Sequence, residues 1–136
     1  MLHFFDTNIL LYSISRNPDE SLKRDRAILL LEEDSGAMSI QVLQEFYVQA
    51  TRTNRSDAIP HEFAVALIAA WCRFRIQEMT LPVLYSALQI RKTYGFSFWD
   101  SAIVAAARAL GCERVYTEDL SHGQVVEGLT VIDPFR

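Results

Sequence analysis

The chain alternates short apolar runs with longer segments in which apolar residues recur every three or four positions. Short runs bounded by polar or turn-forming residues predict buried strands, whereas the three-to-four spacing predicts helices with one face in a core. The predicted strands are Leu2–Phe5, Ala37–Ile40, Arg75–Met79, Glu113–Thr117 and Leu129–Ile132.

Capping residues mark where the predicted helices begin and end. Asn17 followed by Pro18 begins a helix that runs to about Glu33 and stops at Gly36, because Asn is a good N-cap and Pro is tolerated in the first turn. A short helical or irregular piece is predicted from Ile9 to Ser15. Further helices are predicted from Ser39 or Gln41 to the polar stretch 53–57, from Pro60 to about Phe74, and from Thr80 to Gly95. The last predicted helix runs from Phe98 to Leu110, with Ser97 as its cap and Gly111 as its stop.

Strands that alternate with helices in this way imply an α/β fold with a parallel sheet covered by helices. The 136 residues fit one domain over residues 1–136. No repeat, low-complexity tract or linker interrupts them.

Composition and charge narrow the class of protein. Half of the residues are hydrophobic and the net charge is −4, which argues against a surface that coats nucleic acid but does not exclude a nuclease. Cys72 and Cys112 form no metal or redox motif, so both are expected to be reduced, as in a cytosol. No signal peptide is visible, and the apolar run Phe63–Cys72 is too short to span a membrane. We therefore expect a soluble, cytoplasmic protein.

Four acidic residues are predicted to meet at one edge of the sheet. Asp6 and Asp119 each follow a predicted strand, and Asp100 lies in the first turn of a predicted helix. Glu45 lies about one and a half turns into the helix after the second strand, from where its side chain can reach back. In open α/β sheets, ligands gather beyond the carboxyl ends of the strands, so these residues form the candidate active site.

Each of these acids has an ordinary explanation by itself, such as an Asx-turn for Asp6 or a solvated helix position for Glu45. Together they would repel one another and raise one another's pKa values unless a cation compensates them. Oxygen ligands suit Mg²⁺ or Mn²⁺, and such an ion can activate water and hold a phosphoryl oxygen. The pattern therefore predicts metal-dependent phosphodiester hydrolysis.

Four segments in this order carry a family resemblance. They read FFDTNIL at Phe4–Leu10, SIQVLQE at Ser39–Glu45, FSFWDS at Phe96–Ser101 and YTEDL at Tyr116–Leu120. With these separations the chain resembles the PIN domain family, and within it the small VapC-type toxins of toxin–antitoxin pairs. The resemblance extends over essentially the whole chain.

The resemblance implies a three-layer α/β/α sandwich around a five-stranded parallel sheet, with the four acids as ligands of the divalent metal. It implies that Thr7 and Asn8 orient the first acid and that Thr117 supports the fourth. Glu118 and Asp119 are adjacent, and either could supply the fourth ligand. The family pattern favours Asp119, which leaves Glu118 in a supporting position.

The activity that the resemblance implies is endoribonuclease cleavage of structured RNA such as tRNA or ribosomal RNA. It further implies a cognate antitoxin that blocks the site, and a homodimer. The apolar helix from Phe63 to Phe74 is then either fully buried or part of the dimer interface. Phe98 and Trp99, beside Asp100, are candidates to stack on a base or to join the core.

Two other functions compete with this interpretation. The segment FFDTN is similar to the opening motif of haloacid-dehalogenase phosphatases, but their motif has a second Asp where this chain has Asn8. A non-catalytic module that binds a nucleotide or a protein is the other alternative. The glycines form neither GxGxxG nor a P-loop, so backbone binding of phosphate has no support.

Overall fold

The computed structural model of the protein describes residues 1–136. Pro18–Glu20 forms a single 3₁₀ turn. The other elements, in chain order, are β1 (His3–Phe5), α1 (Thr7–Ser13), α2 (Ser21–Glu32), β2 (Gly36–Ser39), α3 (Ile40–Ala50), α4 (His61–Trp71), β3 (Arg75–Gln77), α5 (Leu81–Tyr94), α6 (Phe98–Ala109), β4 (Arg114–Tyr116), β5 (Val125–Val126) and β6 (Leu129–Ile132).

The strands form one sheet in the order β3-β2-β1-β4-β6-β5. The first five strands in this order are parallel, and only β5 pairs antiparallel, with β6. The predicted α/β fold and its parallel sheet are therefore confirmed. The two-residue strand β5 was not predicted, because its turn at Glu127-Gly128, where both φ angles are positive, carries Glu where such turns usually carry Asn or Asp.

Two groups of helices cover the sheet. Helix α6 packs on α5 and contacts β2, β3, β4 and β6, while α1 contacts α2 and α3, and α3 contacts α4. The two groups share no extensive contact with each other, as expected for helices on opposite faces of a sheet. Because β1 lies in the middle, its residues Phe4 and Phe5 are buried at the centre of the core.

Gly36 does not end a helix, contrary to the prediction. Helix α2 ends at Glu32, and Gly36 is the first residue of β2, where it is buried. A Cβ atom on Gly36 would lie 2.5 Å from Cε2 of Phe5 and 2.7 Å from the ring of Phe74. The glycine is required because side chains from the two neighbouring strand segments fill the space beside it, which a capping pattern cannot distinguish from a helix stop.

The first predicted helix also differs in its start. Asn17 caps only the 3₁₀ turn, its side chain accepting a hydrogen bond from the N–H of Asp19, and α2 begins afterwards at Ser21. Helix α4 is not fully buried, because Phe63 and Val65 expose 48% and 47% of their surface. No helix of the chain combines the length and apolarity that a membrane crossing requires.

The substitution Gly36→Ala is expected to destabilise the protein by about 1–3 kcal/mol, the usual cost of overpacking a core. At an unstrained and roomy position the same change would stabilise by about 0.4–1 kcal/mol, so the sign of the effect is informative. Urea unfolding measures it. In a Phe74→Leu background the cost should shrink, and an equal cost in both backgrounds would contradict the proposed clash.

Candidate metal centre

The candidate site lies where the order of the strands reverses. The chain leaves β1 towards β2 on one side, while β4 pairs with β1 on the other side. Asp6 and the segment after β4 therefore meet at the carboxyl edge, and the N–H of Asp6 donates to the carbonyl of Tyr116 at 3.0 Å. Such a switch point leaves a crevice between the connecting segments.

Asp6 is the buried centre of the site, with 5% of its surface exposed. It caps α1, because Oδ1 accepts from the N–H of Thr7 at 2.7 Å. Its Oδ2 accepts from the hydroxyl of Thr117 at 2.8 Å. Both carboxylate oxygens are thus fixed by donors from two neighbouring segments of the sheet edge.

Glu45 reaches the same edge from α3, which Ser39 caps by accepting from the N–H of Val42. Its Oε2 accepts from the hydroxyl of Thr7 at 2.9 Å, and its Oε1 accepts from Nε2 of Gln41 at 2.8 Å. Thr7 therefore contacts two acids at once, Asp6 through its backbone N–H and Glu45 through its hydroxyl.

Thr117 and Asn8 bring Asp119 to the cluster. The fully buried hydroxyl of Thr117 accepts from the N–H of Asp119 at 3.0 Å. The amide of Asn8 donates to Oδ2 of Asp119 at 3.2 Å and to the Thr117 hydroxyl at 3.3 Å. Asn8 thus donates to the fourth acid and to Thr117, the residue whose hydroxyl donates to Asp6. The role in orienting Asp6 that the resemblance implies for Asn8 stays a prediction.

Asp100 comes to the site at the start of α6. Ser97 caps that helix by accepting from the N–H of Asp100 at 3.1 Å, as its position in the sequence predicts. A helix that leads into a parallel strand begins at the carboxyl edge of the sheet, so its first turn carries Asp100 there. The positive end of the helix dipole favours a carboxylate at this place.

The charges of these acids interact across the site. Burial, with smaller contributions from the charges of Asp119 and Glu45, raises the pKa of Asp6 to about 7 against the lowering effect of its two hydrogen bonds. Burial and the charges of Asp119 and Glu45 likewise raise the pKa of Asp100, and burial with the charges of Glu118 and Glu45 raises that of Asp119. Acids from four distant segments therefore share one electrostatic environment.

The family model of the PIN domain matches residues 3–127 of the chain. The chain belongs to the PIN domain family. The match begins within three residues of the start of the chain and includes all four acids, so the family pattern and the geometry refer to the same domain. A sequence search of curated proteins found no match.

Solved structures share the fold of this PIN domain. The chain is similar to a toxin–antitoxin complex from Klebsiella pneumoniae, with a TM-score of 0.72, 22% identity and 97% of both chains covered. It is similar to VapC20 of Mycobacterium tuberculosis, described as a sarcin-ricin-loop-cleaving toxin, with a TM-score of 0.67, 21% identity and 86% and 89% of the two chains covered. A DNA-bound VapBC from Salmonella typhimurium gives a TM-score of 0.66 at 20% identity over 98% and 99% of the chains.

The donor set of this PIN domain fits a hard divalent cation. In the structure no three His, Cys, Asp or Glu side chains are close enough to enclose an ion. Asp6, Glu45 and Asp119 instead accept hydrogen bonds from Thr7, Thr117 and Asn8. No Lys or Arg side chain pairs with any of the four acids. The buried Oδ1 of Asn8 also has no hydrogen-bond partner. Uncompensated carboxylates beside an unpartnered oxygen fit Mg²⁺ or Mn²⁺.

Glu118 is held away from the four acids. Its Oε1 accepts from the hydroxyl of Tyr12 at 2.6 Å, and its Oε2 lies 3.2 Å from Nζ of Lys23. Lys23 in turn lies 4.8 Å from the centre of the Tyr12 ring. Because Glu118 already has a cation and a donor, the geometry favours Asp119 as the fourth ligand of the PIN domain.

Gln41 is a site residue that the sequence reasoning missed. It is 8% exposed, and its Nε2 donates both to Glu45 and, at 3.2 Å, to the carbonyl of Trp99. Its position four residues before Glu45 on a helix is a signal that could have indicated this contact. The pairing of Lys23 and Tyr12 with Glu118 has no such local signal.

The substitution Thr117→Val is expected to cost about 1–3 kcal/mol of stability, because it leaves Oδ2 of Asp6 buried without its donor. Thr117→Ser keeps the hydroxyl and is the matched control. Thermal unfolding with and without Mn²⁺ measures both effects. We expect Mn²⁺ to raise the melting temperature of the wild type and the Ser variant but not of the Val variant. Equal Mn²⁺ stabilisation of all three would contradict the role of this hydroxyl.

The substitution Asp100→Asn is expected to keep or raise the melting temperature of the ion-free protein by a few degrees, because it removes repulsion among the acids. Asp34→Asn, at an exposed loop acid, is the control and should have no such effect. Differential scanning calorimetry in EDTA measures the change. A drop of more than a few degrees for the Asp100 variant would count against clustering.

Proposed function

We propose that this PIN domain is a divalent-metal-dependent endoribonuclease that cleaves structured RNA such as tRNA or ribosomal RNA. We further propose that it is the cytoplasmic toxin of a type II toxin–antitoxin pair, inhibited by a cognate antitoxin. What supports the nuclease most directly is that Thr7 and Thr117 link Asp6 to Glu45 and to Asp119 at the switch point of the sheet. The charges of Asp119 and Glu45 also act on Asp100.

In the proposed site the four acids are the ligands of Mg²⁺ or Mn²⁺. The bound ion would supply Lewis acidity, lowering the pKa of a bound water and offsetting the charge of the scissile phosphate. The chain contributes the positions of the ligands. Thr7 and Thr117 fix the orientation of Asp6, and Asn8 holds Asp119 beside it.

The similar solved structures support the toxin role and the RNA substrate. One is described as a toxin that cleaves the sarcin-ricin loop, and two others are toxin–antitoxin assemblies. All three cover most of this chain and share its fold. We extend the substrate class and the antitoxin partner to this chain on the strength of that shared fold together with its own complete set of acids.

The surface of α3 and α4 supports protein partners. Ile40 and Val48 on α3 and Phe63 and Val65 on α4 are exposed apolar side chains, and an apolar groove of about 500 Å³ lies between the two helices. Exposed apolar surface of this kind is typical of interaction sites. We propose that this surface binds the antitoxin and also forms the interface of a homodimer. Light scattering would test whether the homodimer forms.

A phosphatase of the haloacid-dehalogenase type is disfavoured by the chemistry of the site. Such an enzyme needs an acid two residues after the nucleophile, and Asn8 has no proton of suitable acidity to give. Its amide donates instead to Asp119 and Thr117. The PIN family match leaves that alternative without support.

We expect the purified protein to cleave labelled tRNA or a ribosomal RNA hairpin in Mn²⁺, and to lose this activity in EDTA. Asp6→Asn and Asp119→Asn should each reduce the rate at least about 100-fold, since even changes outside the ligand set of a metal site typically cost about 10–100-fold. Gel analysis of the cleavage products measures the rates.

Asp34→Asn is the control for a change of charge away from the site. Glu118→Gln should lose less activity than Asp119→Asn, and the reverse order would make Glu118 the fourth ligand. Cleavage that persists in EDTA would contradict the metal-dependent mechanism. Hydrolysis of p-nitrophenyl phosphate with intact RNA would instead support a phosphatase.

A further inference from the structure

A groove outside the four acids begins at Glu45 and runs along α3. Its open volume is about 320 Å³. The lining residues are Gln41, Gln44, Glu45, Val48, Gln49 and Trp99. Glu45 is a proposed metal ligand and Gln41 donates to it, while Val48 also belongs to the apolar surface described above. Gln49 and Trp99 have no assigned role, and Gln44 lines both grooves.

The wall formed by α3 is a single helical stripe. Positions 41, 44, 45, 48 and 49 are separated by three or four residues and therefore lie on one face of the helix. This stripe carries three amide side chains. Gln44 is exposed and Gln49 is half-buried, and neither side chain has a hydrogen-bond partner in the protein, in contrast to Gln41.

The opposite wall is the indole of Trp99. It is 63% exposed, which is unusual for so large an apolar side chain, and it makes an edge-to-face contact with Phe98, with ring centres 5.1 Å apart. From the sequence, Trp99 could either stack on a base or belong to the hydrophobic core. Because Trp99 is so exposed, it is not part of the hydrophobic core. Phe98, in contrast, is partly buried and packs against the core.

Gln41 joins the two walls to the acids. Its Nε2 donates to the carbonyl of Trp99 and to Oε1 of Glu45. These two hydrogen bonds fix the position of the Trp99 backbone relative to Glu45, a proposed metal ligand. Trp99 is also adjacent in sequence to Asp100, so the groove opens directly beside the acid cluster.

We propose that this groove binds one unstacked nucleobase of the RNA substrate next to the scissile phosphate, with Trp99 stacking on the base and Gln44 and Gln49 reading its edge. The inference rests on the proposed nuclease function and names how the substrate is selected. Proteins recognise RNA largely through splayed-out bases that stack on aromatic side chains and form hydrogen bonds along their edges. Glutamine amides can donate to and accept from a base edge at the same time.

The chemistry of the groove favours a base over a peptide. The side chains of Gln44 and Gln49 are neutral amides without partners in the protein, which suit the neutral edge of a base, and the two hydrophobic residues of the lining are Val48 and Trp99. The apolar groove between α3 and α4 has six hydrophobic lining residues and one polar one. An antitoxin segment that buries apolar side chains would fit that second groove better.

Binding can be measured without cleavage by tryptophan fluorescence in EDTA. The chain has two tryptophans, and Trp71 is buried against Phe46, so quenching by a stacked base should report Trp99. We expect single-stranded A6, U6 or C6 RNA to quench the wild-type emission, with one base preferred. Trp99→Phe should abolish this quenching, because the remaining emission comes from Trp71.

Affinity and selectivity give two further readouts. Trp99→Ala should weaken binding of the preferred oligonucleotide roughly 5- to 100-fold, the range that loss of one base–aromatic stack produces. Tyr85→Ala, at an exposed aromatic residue of α5, is the matched control and should change nothing. The double variant Gln44→Ala, Gln49→Ala should change which sites in tRNA are cut in Mn²⁺.

The outcomes separate this inference from the proposed function. Normal cleavage with unchanged affinity and an unchanged cut pattern in all groove variants would overturn the base pocket and leave the nuclease intact. Base binding lost in Trp99→Ala, in a protein that never cleaves RNA, would support the pocket and contradict the nuclease. Loss of antitoxin binding in Trp99→Ala with unchanged RNA affinity would overturn the proposal and assign the groove to the protein partner.

Discussion

The buried carboxylate of Asp6 at the end of the central strand is the constraint on which the site depends. A charge with 5% exposure is tolerated only if donors surround it or a cation neutralises it. Thr7 and Thr117 supply two donors, yet the pKa of Asp6 is still raised to about 7. The two hydrogen bonds therefore offset only part of the cost of burying this carboxylate. A bound divalent cation would offset the rest.

The same constraint explains how distant segments are arranged. Thr117 is fully buried because its hydroxyl must face Asp6, and this places Asp119 two residues further along the edge. The hydroxyl of Thr7 reaches Glu45, which fixes α3 relative to β1. The side chains that hold β1, α3 and the segment after β4 together are thus the same ones that surround the proposed metal ligands.

The sequence was sufficient to predict the fold class and the positions of Asp6 and Asp119 directly after parallel strands, because strand periodicity and caps such as Ser39 and Ser97 are local signals. Contacts between residues far apart in the chain were not predictable from such signals. Gly36 looked like a helix stop but is excluded from carrying a side chain by Phe5 and Phe74. The pairing of Lys23 with Glu118, 95 residues away, likewise depends on tertiary structure alone.

A crystal structure grown with Mn²⁺ would show whether acids from the four segments bind one cation. Anomalous scattering at the manganese edge locates the ion without reference to the protein chemistry. A shared ion gives a peak at coordinating distance, roughly 2 Å, from oxygens of Asp6 and of at least two of Glu45, Asp100 and Asp119. A peak elsewhere, or none at this edge under saturating Mn²⁺, would contradict it.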